Sequence, residues 1–388
     1  MSAYLTEERM MIRDMARDFT QNEILPVANE LDPKKGKIPQ ELIDKMGELG
    51  FFGIMIPEEY GGMGLGSLEY CMVAEEFAVG WMSASSIIAR ANSFYKSIPM
   101  EMPDAEEKIR KMAQGQYLGA MAISEPNAGS DVTAITTKAK KEGGEWVING
   151  NKYWCTFADE ADFIVFICDT EGPDVRPHKR LTPIMVEKPR GELPNNVQGS
   201  PIPKIGYFGW NTFELAMDGT RTPYYDSVDR GGAFTWLASG LEVARAHTAA
   251  RSIGAAQGAL NVAIEYAKDR HQFKQPISNF QSIRFKIATM ATEIEAARQL
   301  MYHVCSEIDS GKRCDREASM VKYFAAEMSE RVTSEALQIL GGAGYTTHFP
   351  VERYWRDARL TKIFEGSSEI QQRIISDSIL GKPVKPSA

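Results

Sequence analysis

Near its C-terminus the chain reads Ile363-Phe364-Glu365-Gly366-Ser367-Ser368-Glu369-Ile370, a run that places one carboxylate between an aromatic residue and a glycine. An apolar neighbour desolvates a carboxylate and raises its pKa, which suits a general base. Gly366 lets the backbone turn or pass close to a ligand. Ser368 and Gln371 have the spacing of a capping box, so Glu365 is expected just before a helix N-terminus. A plainer reading fits the same residues, in which Glu365 only complements a helix dipole. Glu369 is the competing acid, but it falls in the first turn of the expected helix, where an exposed acid is ordinary.

Two further segments carry usable chemistry. Met121 to Asp131, with Ser124-Glu125-Pro126-Asn127-Ala128-Gly129-Ser130 inside it, offers hydroxyls and loop amides that can bind the polar edge of a cofactor. The same composition also makes a capped turn. In Trp154-Cys155-Thr156 a strand would point the indole and the hydroxyl to one face. That pair could flank a planar heteroaromatic ligand, or the Trp could simply fill a β core. The five histidines are scattered, and no Cys or His cluster has metal-ligand spacing, so no metal site is expected. Five cysteines, an odd number, argue against a disulfide framework.

The elements that must position these residues change along the chain. Residues 1–118 read as helical, with Met11, Ile12, Met15, Ala16 and Phe19 at helical spacing. Asn22 to Pro26 is expected to end that first segment, and Pro39 to open the next helix. Residues 57–66 are glycine-rich but lack both phosphate-binding patterns, and read as a turn. Residues 119–229 read as a β domain of antiparallel hairpins, one of them turning at Asn149-Gly150-Asn151. There is no alternating pattern for a dinucleotide fold. In 230–388 helices return over Leu241–Arg270, Ile283–Asp309 and Glu317–Leu340, with short links that suggest an antiparallel bundle. The chain is thus read as an α+β protein of three domains, 1–118, 119–229 and 230–388.

Composition bounds the partners. A net charge of −8 over 388 residues gives no footprint for nucleic acid. No apolar stretch approaches the ~20 residues needed to span a membrane. Acids stand at Glu7 and Glu8 where a signal peptide would carry basic residues, which reads as the start of a cytoplasmic, bacterial-type protein.

Taken in order, these pieces resemble the acyl-CoA dehydrogenase family over essentially the whole chain. The resemblance rests on Ser124 to Asp131, Trp154 with Thr156, Asp269-Arg270-His271-Gln272-Phe273 with Phe280-Gln281, and Gln338-Ile339-Leu340-Gly341-Gly342-Ala343-Gly344-Tyr345. Pro350-Val351-Glu352-Arg353, Arg356 to Arg359 and Ile363 to Gly366 complete it. It implies an N-terminal all-α domain, a central antiparallel β domain and a C-terminal four-helix bundle. It also implies FAD, a homotetramer, and an electron-transfer flavoprotein as electron acceptor. On the flavin side it places Met121, Ile123, Ser124, Trp154 and Thr156, with Arg270, Phe273, Gln338 and Gly342 reaching the pyrophosphate and adenosine end across a subunit boundary. Ser367 joins the cofactor set. Ser130, Glu242, Arg245, Arg313, Phe364 and Gly366 fall on the substrate side, and Glu365 in the place of the family's usual base. In some members the base lies instead on the long helix opening the C-terminal domain, where this chain has Ala244.

The reaction implied removes the α-proton of an acyl-CoA while the β-hydrogen leaves as hydride. Polarising the thioester carbonyl acidifies the α-carbon, and desolvation raises the pKa of the base, so the two converge. Several residues depart from the family's pattern: Phe364 for a common tyrosine, Lys274 for a glycine, and aromatics in Gly206-Tyr207-Phe208-Gly209-Trp210-Asn211-Thr212 for an arginine and serines. Asp226 to Gly232 also departs. The helix Met82–Asn92 is expected to wall the acyl pocket with its serines, with Arg90 turned to solvent. These changes favour a short, branched or alicyclic acyl group. The competing functions are an oxygen-using acyl-CoA oxidase-like enzyme and a flavin-binding assembly factor without catalysis.

Overall fold

The computed structural model describes residues 4–225 and 232–383. Helices come first: α1 (Glu7–Phe19), α2 (Leu25–Leu31), α3 (Gln40–Glu48), α4 (Ser67–Gly80), α5 (Met82–Ile87), α6 (Ala89–Asn92) and α7 (Ala105–Ala113). Asn22 to Pro26 does not end the first helical segment. The chain loosens into one π-turn over Thr20–Ile24 and resumes with Pro26 in the first turn of α2, where its missing N–H is not needed. Helix α4 is buried along its whole length, and most of its residues are apolar. Its acids reach outward to arginines, Glu69 to Arg9, Glu75 to Arg298 and Glu76 to Arg17, each at 2.7 Å.

The sheet follows with β1 (Gly119–Ala122), β2 (Lys138–Glu142), β3 (Glu145–Thr156), β4 (Phe163–Asp169), β5 (Leu181–Glu187), β6 (Val197–Pro201) and β7 (Thr212–Pro223), in the order β1-β4-β2-β3-β7-β6 with β5 beside β4. It is mixed. β4 pairs in parallel with β1 and β2, so the expectation of antiparallel hairpins alone needs correcting. Every residue of β4 is buried, which explains why Phe163 to Cys168 reads as a continuous apolar run. The Asn149-Gly150-Asn151 hairpin also fails. Those residues lie inside β3, where Gly150 takes φ 144° at a register shift and a Cβ there would stand 2.7 Å from Thr137. The turn lies instead at Gly143-Gly144, between β2 and β3, both glycines at positive φ.

The long helices are α8 (Ala233–Asp269), α9 (Gln281–Asp309) and α10 (Asp315–Leu340), followed by α11 (Val351–Thr361) and α12 (Ser368–Leu380). A two-stranded turn, β8 (His271–Gln272) with β9 (Gln275–Pro276), links α8 to α9. Phe273 and Lys274 both take positive φ in it, so Lys274 adopts the turn conformation that a glycine would take more cheaply. α8 packs on both α4 and α10, and so joins the first helices to the last. The departure noted at Asp226 to Gly232 lies outside the described residues, save Gly232 itself. All five cysteines are free and buried. Among the described residues no helix is long and apolar enough to cross a membrane.

Candidate active site

The link from α11 to α12 carries Glu365 into a left-handed backbone conformation, φ 52°, followed by Gly366 at φ 90°. The helix cap is Ser367, whose hydroxyl accepts from the Ile370 N–H at 3.4 Å. This is one residue earlier than the expected cap, because Ser368 is buried and its hydroxyl turns to Glu327 at 2.9 Å. The Gly366 carbonyl accepts from Gln371 at 3.0 Å and from the buried Lys322 of α10 at 2.6 Å. Burial brings the Lys322 ammonium down to about 8. Two donors on different helices thus fix the residue after the carboxylate.

Helix α8 meets Glu365 from the other side. The Thr248 hydroxyl donates to its carboxylate at 2.7 Å and Arg251 Nη2 at 2.5 Å. Ala244, one turn earlier on the same helix, brings no acid, and Glu365 faces α8 without a rival there. Arg251 is almost wholly buried, whereas the Glu365 side chain keeps 35 % of its exposure. Burial pushes the Glu365 carboxyl up, but Arg251, the hydrogen bond from Thr248 and the charge of Lys322 together hold it below the ordinary carboxylate range. The expectation of a base raised by its apolar neighbour is therefore reversed in this state. Burial is the largest single influence, but Arg251, Thr248 and Lys322 together outweigh it, and Arg251 is a partner that no local sequence window could supply.

The surrounding wall is aromatic and cationic. Tyr207 is buried and meets the Phe364 ring edge-on at 5.7 Å, while its hydroxyl lies 3.4 Å from Arg251. Its backbone N–H is held by Asp357 of α11 at 2.5 Å. The aromatic segment 207–213 is thus brought to Glu365 through Tyr207, and through Trp210, which packs on Tyr207 at 5.2 Å. Phe208 points away, between Lys35 and Arg356. The expected helix Met82–Asn92 is two short helices, α5 and α6. Its Ser86 accepts from Arg251 at 2.8 Å, while Ser83 and Ser85 are satisfied by backbone carbonyls. Arg90 is not turned to solvent. Its guanidinium lies over the Phe157 and Trp210 rings at 5.5 and 5.6 Å.

A second cluster stands at the ends of β1 and β3. Met121, Ile123 and Ser124 are half-buried, and the Tyr153 N–H donates to the Ser124 carbonyl at 2.8 Å, so that segment lies against Trp154. Trp154 takes φ 65° and leaves 56 % of its surface exposed, an unusual state for an indole at a strand end. Thr156 shares a hydrogen bond with Thr212 at 3.1 Å. Sequence reasoning missed what holds this segment. Lys152, fully buried, donates to the Ile123 carbonyl and to Glu125, both at 2.9 Å. Glu125 also accepts from Thr136 and Thr137. Burial would raise its pKa, but Lys152 and these donors bring it to about 2. A lysine inside a strand, at a position facing inward, was the signal available.

The remaining candidates fall in two places. Glu242, Arg245 and Arg313 come together where α8 and α10 begin: Glu242 accepts from the Cys314 N–H at 2.8 Å, and Asp315 lies 2.7 Å from Arg313 and 3.6 Å from the buried Arg245. Arg245 Nε and Nη1 have no hydrogen-bond partner among the described residues. Arg270, Phe273, Gln338 and Gly342 lie exposed at the far ends of α8 and α10. Ser130 is exposed in the loop after β1, and the structure does not bring it to Glu365 or to the Arg245 cluster.

Comparison with known proteins agrees with this arrangement. The chain matches the acyl-CoA dehydrogenase N-terminal domain over residues 6–116, the middle domain over 120–220 and the C-terminal domain over 231–380. It is 38% identical to an acyl-CoA dehydrogenase of Bacillus subtilis, over 97% of this chain and 99% of that protein. It is 37% identical to the caffeyl-CoA reductase-Etf complex subunit CarC of Acetobacterium woodii, over 98% of this chain and all of that one. The structure of butyryl-CoA dehydrogenase from Megasphaera elsdenii superposes with a TM-score of 0.90 at 31% identity, over 98% of this chain and 100% of that one. The chain belongs to the acyl-CoA dehydrogenase family, flavoprotein oxidoreductases that act on CH–CH groups.

Proposed function

We propose that this protein is an FAD-dependent acyl-CoA dehydrogenase in which Glu365 removes the α-proton of a short acyl-CoA. The observation that carries the reading is a carboxylate fixed at left-handed φ, partly exposed, and bonded to Thr248 and Arg251 from the facing helix. Non-glycine residues at such φ store strain, and they gather here: Trp154, Tyr207 and Glu365 lie at 52 to 65°. The residues present fit a flavin. An exposed indole beside Met121, Ile123 and Ser124, with the Thr156 hydroxyl at its edge, makes a flat apolar wall with a polar rim. FAD bound there supplies the acceptor for the β-hydride.

The chain's own residues account for the rest. Arg251 and Thr248 keep Glu365 ionised and aimed, Lys322 and Gln371 hold the turn that presents it, and the Lys152–Glu125 pair anchors the segment from Ile123 to Glu125. Arg245, buried with unsatisfied donors, and exposed Arg313 suit the phosphate-bearing part of CoA. Tyr207, Trp210 and Phe364 narrow the acyl end, which suits a short, branched or alicyclic group. Ser367 as helix cap, with Arg270, Phe273, Gln338 and Gly342, is assigned to the cofactor, the last four from a neighbouring subunit. The exposure of Phe273 at 87% and Tyr345 at 82% supports a homotetramer, in which such rings meet a partner. An electron-transfer flavoprotein is the proposed acceptor and the cytoplasm the proposed location. The chain is divided at 1–118, 119–229 and 230–388.

The test is Glu365→Gln, with Glu242→Gln as control. Gln keeps the shape and cannot take the proton. Anaerobic flavin bleaching by the best acyl-CoA should fall by at least roughly 10²–10⁴-fold in the first variant, with FAD retained. Bleaching at near wild-type rate in Glu365→Gln but not in Glu242→Gln would reassign the base.

A further inference from the structure

We propose that Lys204 is a positioning residue for acyl-chain selection: by donating to the carbonyls of Tyr207 and Trp210 it holds both rings as a fixed floor beyond Glu365, and loosening that hold lengthens the acyl group accepted. The inference rests on the dehydrogenase reading for the site, and on the backbone of the segment 207–211 for its content. That segment is held from outside at each carbonyl. Lys204 Nζ donates to the Tyr207 carbonyl at 2.8 Å and to the Trp210 carbonyl at 3.0 Å. The Ser83 hydroxyl donates to the Phe208 carbonyl, the Ile38 N–H to that of Gly209 at 2.8 Å, and the Phe157 N–H to that of Asn211 at 2.9 Å. None of these donors is an amide of the segment itself, so its shape is set by what surrounds it. The shape is strained. Tyr207 takes φ 57°, and Gly209 takes φ 107°, where a Cβ would stand 3.0 Å from Ser83 and 3.1 Å from Trp81.

The rings divide about this backbone. Phe208 turns away beneath the Arg356 guanidinium, at 5.0 Å. Tyr207 and Trp210 turn the other way and are buried. Starting beside the base, the rings form one column: Phe364 meets Tyr207, Tyr207 meets Trp210 at 5.2 Å, and Trp210 meets Phe157 at 5.9 Å. An acyl chain that runs past Glu365 toward this column stops there unless the rings move, and close-packed rings move only at a cost. Lys204 differs from the other donors in what it holds. Ser83, Ile38 and Phe157 take the carbonyls of Phe208, Gly209 and Asn211. The carbonyls on Lys204 are those of the two residues whose rings make the column. Lys204 is half-buried, forms no ion pair among the described residues, and lies over the Tyr207 ring at 5.5 Å. An ammonium presents three donors without a fixed plane, so one lysine can bracket both carbonyls.

The experiment uses the FAD-loaded protein with butyryl-, hexanoyl- and octanoyl-CoA. Anaerobic flavin bleaching gives kcat/KM for each, and calorimetric titration with Glu365→Gln carried into each protein gives binding without turnover. A methylene too many in a closed pocket costs roughly 10-fold or more, so the parent protein should prefer butyryl- over octanoyl-CoA by at least about 100-fold. Lys204→Met should leave butyryl-CoA nearly unchanged and lower that preference by about 10-fold or more. Lys204→Arg, which keeps paired donors, should restore most of it. Tyr207→Gly removes the ring at a φ that glycine takes freely, and should lower the preference too. Adding Lys204→Met to Tyr207→Gly should then lower it by less than in the parent, because the lysine acts through the ring. A parent protein without the preference would overturn the inference, and so would a Lys204→Met protein that loses activity equally at every length with the preference intact. If no thioester bleaches the flavin, the dehydrogenase reading fails instead, and the calorimetric preference alone decides: a drop in Lys204→Met sustains the inference and an unchanged preference overturns it. If Lys204→Met does not fold, Lys204→Gln, which keeps one donor group, is read in its place by the same criteria.

Discussion

Two carboxylate–cation pairs, one in the sheet and one between the last helices, are built differently. Glu125 with Lys152 is closed: the side chains are 5% and 0% exposed, and the carboxylate also takes bonds from Thr136 and Thr137. Glu365 with Arg251 is open on one side: the arginine is 2% exposed and the carboxylate 35%. The closed pair spends both oxygens and most of its ammonium protons on the protein, including the Ile123 carbonyl. The open pair leaves a carboxylate that solvent or a substrate can approach. A buried ion pair is therefore scaffold or machinery according to whether one member keeps a free face, and not according to how short its bond is.

The comparison breaks most sharply at Lys152. Replacing it by Met keeps the volume and removes the counter-ion, which leaves Glu125 buried and charged. Breaking one partner of such a pair costs about 3–5 kcal/mol. Denaturant unfolding of Lys152→Met should show a loss of that order, together with weaker FAD retention, because the Ile123–Ser124 segment loses its anchor. A loss under about 1 kcal/mol would mean that the pair is not the lock its geometry describes.

How much of this was legible in the sequence follows from the range of the interactions. Glu365, Trp154, Thr156 and the order helices–sheet–helices were readable because each depends on neighbours within a turn or a strand, or on spaced motifs. The pairing of β4 in parallel with β1 and β2 was not, since an apolar run says that a strand is buried and not which way its neighbours point. Asn149-Gly150-Asn151 misled because a glycine at a bulge and a glycine in a hairpin carry the same letters. Arg251 and Arg90 were missed or misplaced for another reason. Their partners are 114 residues away in sequence for Arg251–Glu365, and for Arg90 they are rings on other elements. A charge on a helix ordinarily reads as solvated until the fold supplies what faces it.

Acid separates the two pairs more gently. The folded pKa of Glu125 is depressed to about 2, below its unfolded value, so its contribution is complete above the ordinary carboxylate range and is lost as pH falls through that range toward about 2. Lys152→Met lacks that depression. Its stability should therefore fall less steeply than wild type between the ordinary carboxylate pKa and the low value, and the two acid-unfolding curves should converge at the acid end. Curves that stay parallel over that window would show that Lys152 does not set the Glu125 pKa.

The smallest effect on stability is expected where the chemistry is most sensitive. Arg251→Gln keeps a donor near Ser86 and Tyr207 and removes the charge beside Glu365. The carboxylate there is over a third exposed, so water takes up much of what the guanidinium gave, and the unfolding free energy from denaturant titration should fall by less than the loss in Lys152→Met. The pKa of Glu365 should move further. Arg251 is the largest influence holding it down against burial, so without it burial gains and the carboxyl rises. With butyryl-CoA the acid limb of the bleaching-rate profile should then lie at higher pH in the variant than in wild type. The direction follows from the sign: a depressed pKa keeps the base ionised to lower pH, and lifting the depression protonates it earlier. An unmoved acid limb together with a large loss of stability would place Arg251 with Lys152, as scaffold, and would remove the distinction between the two pairs.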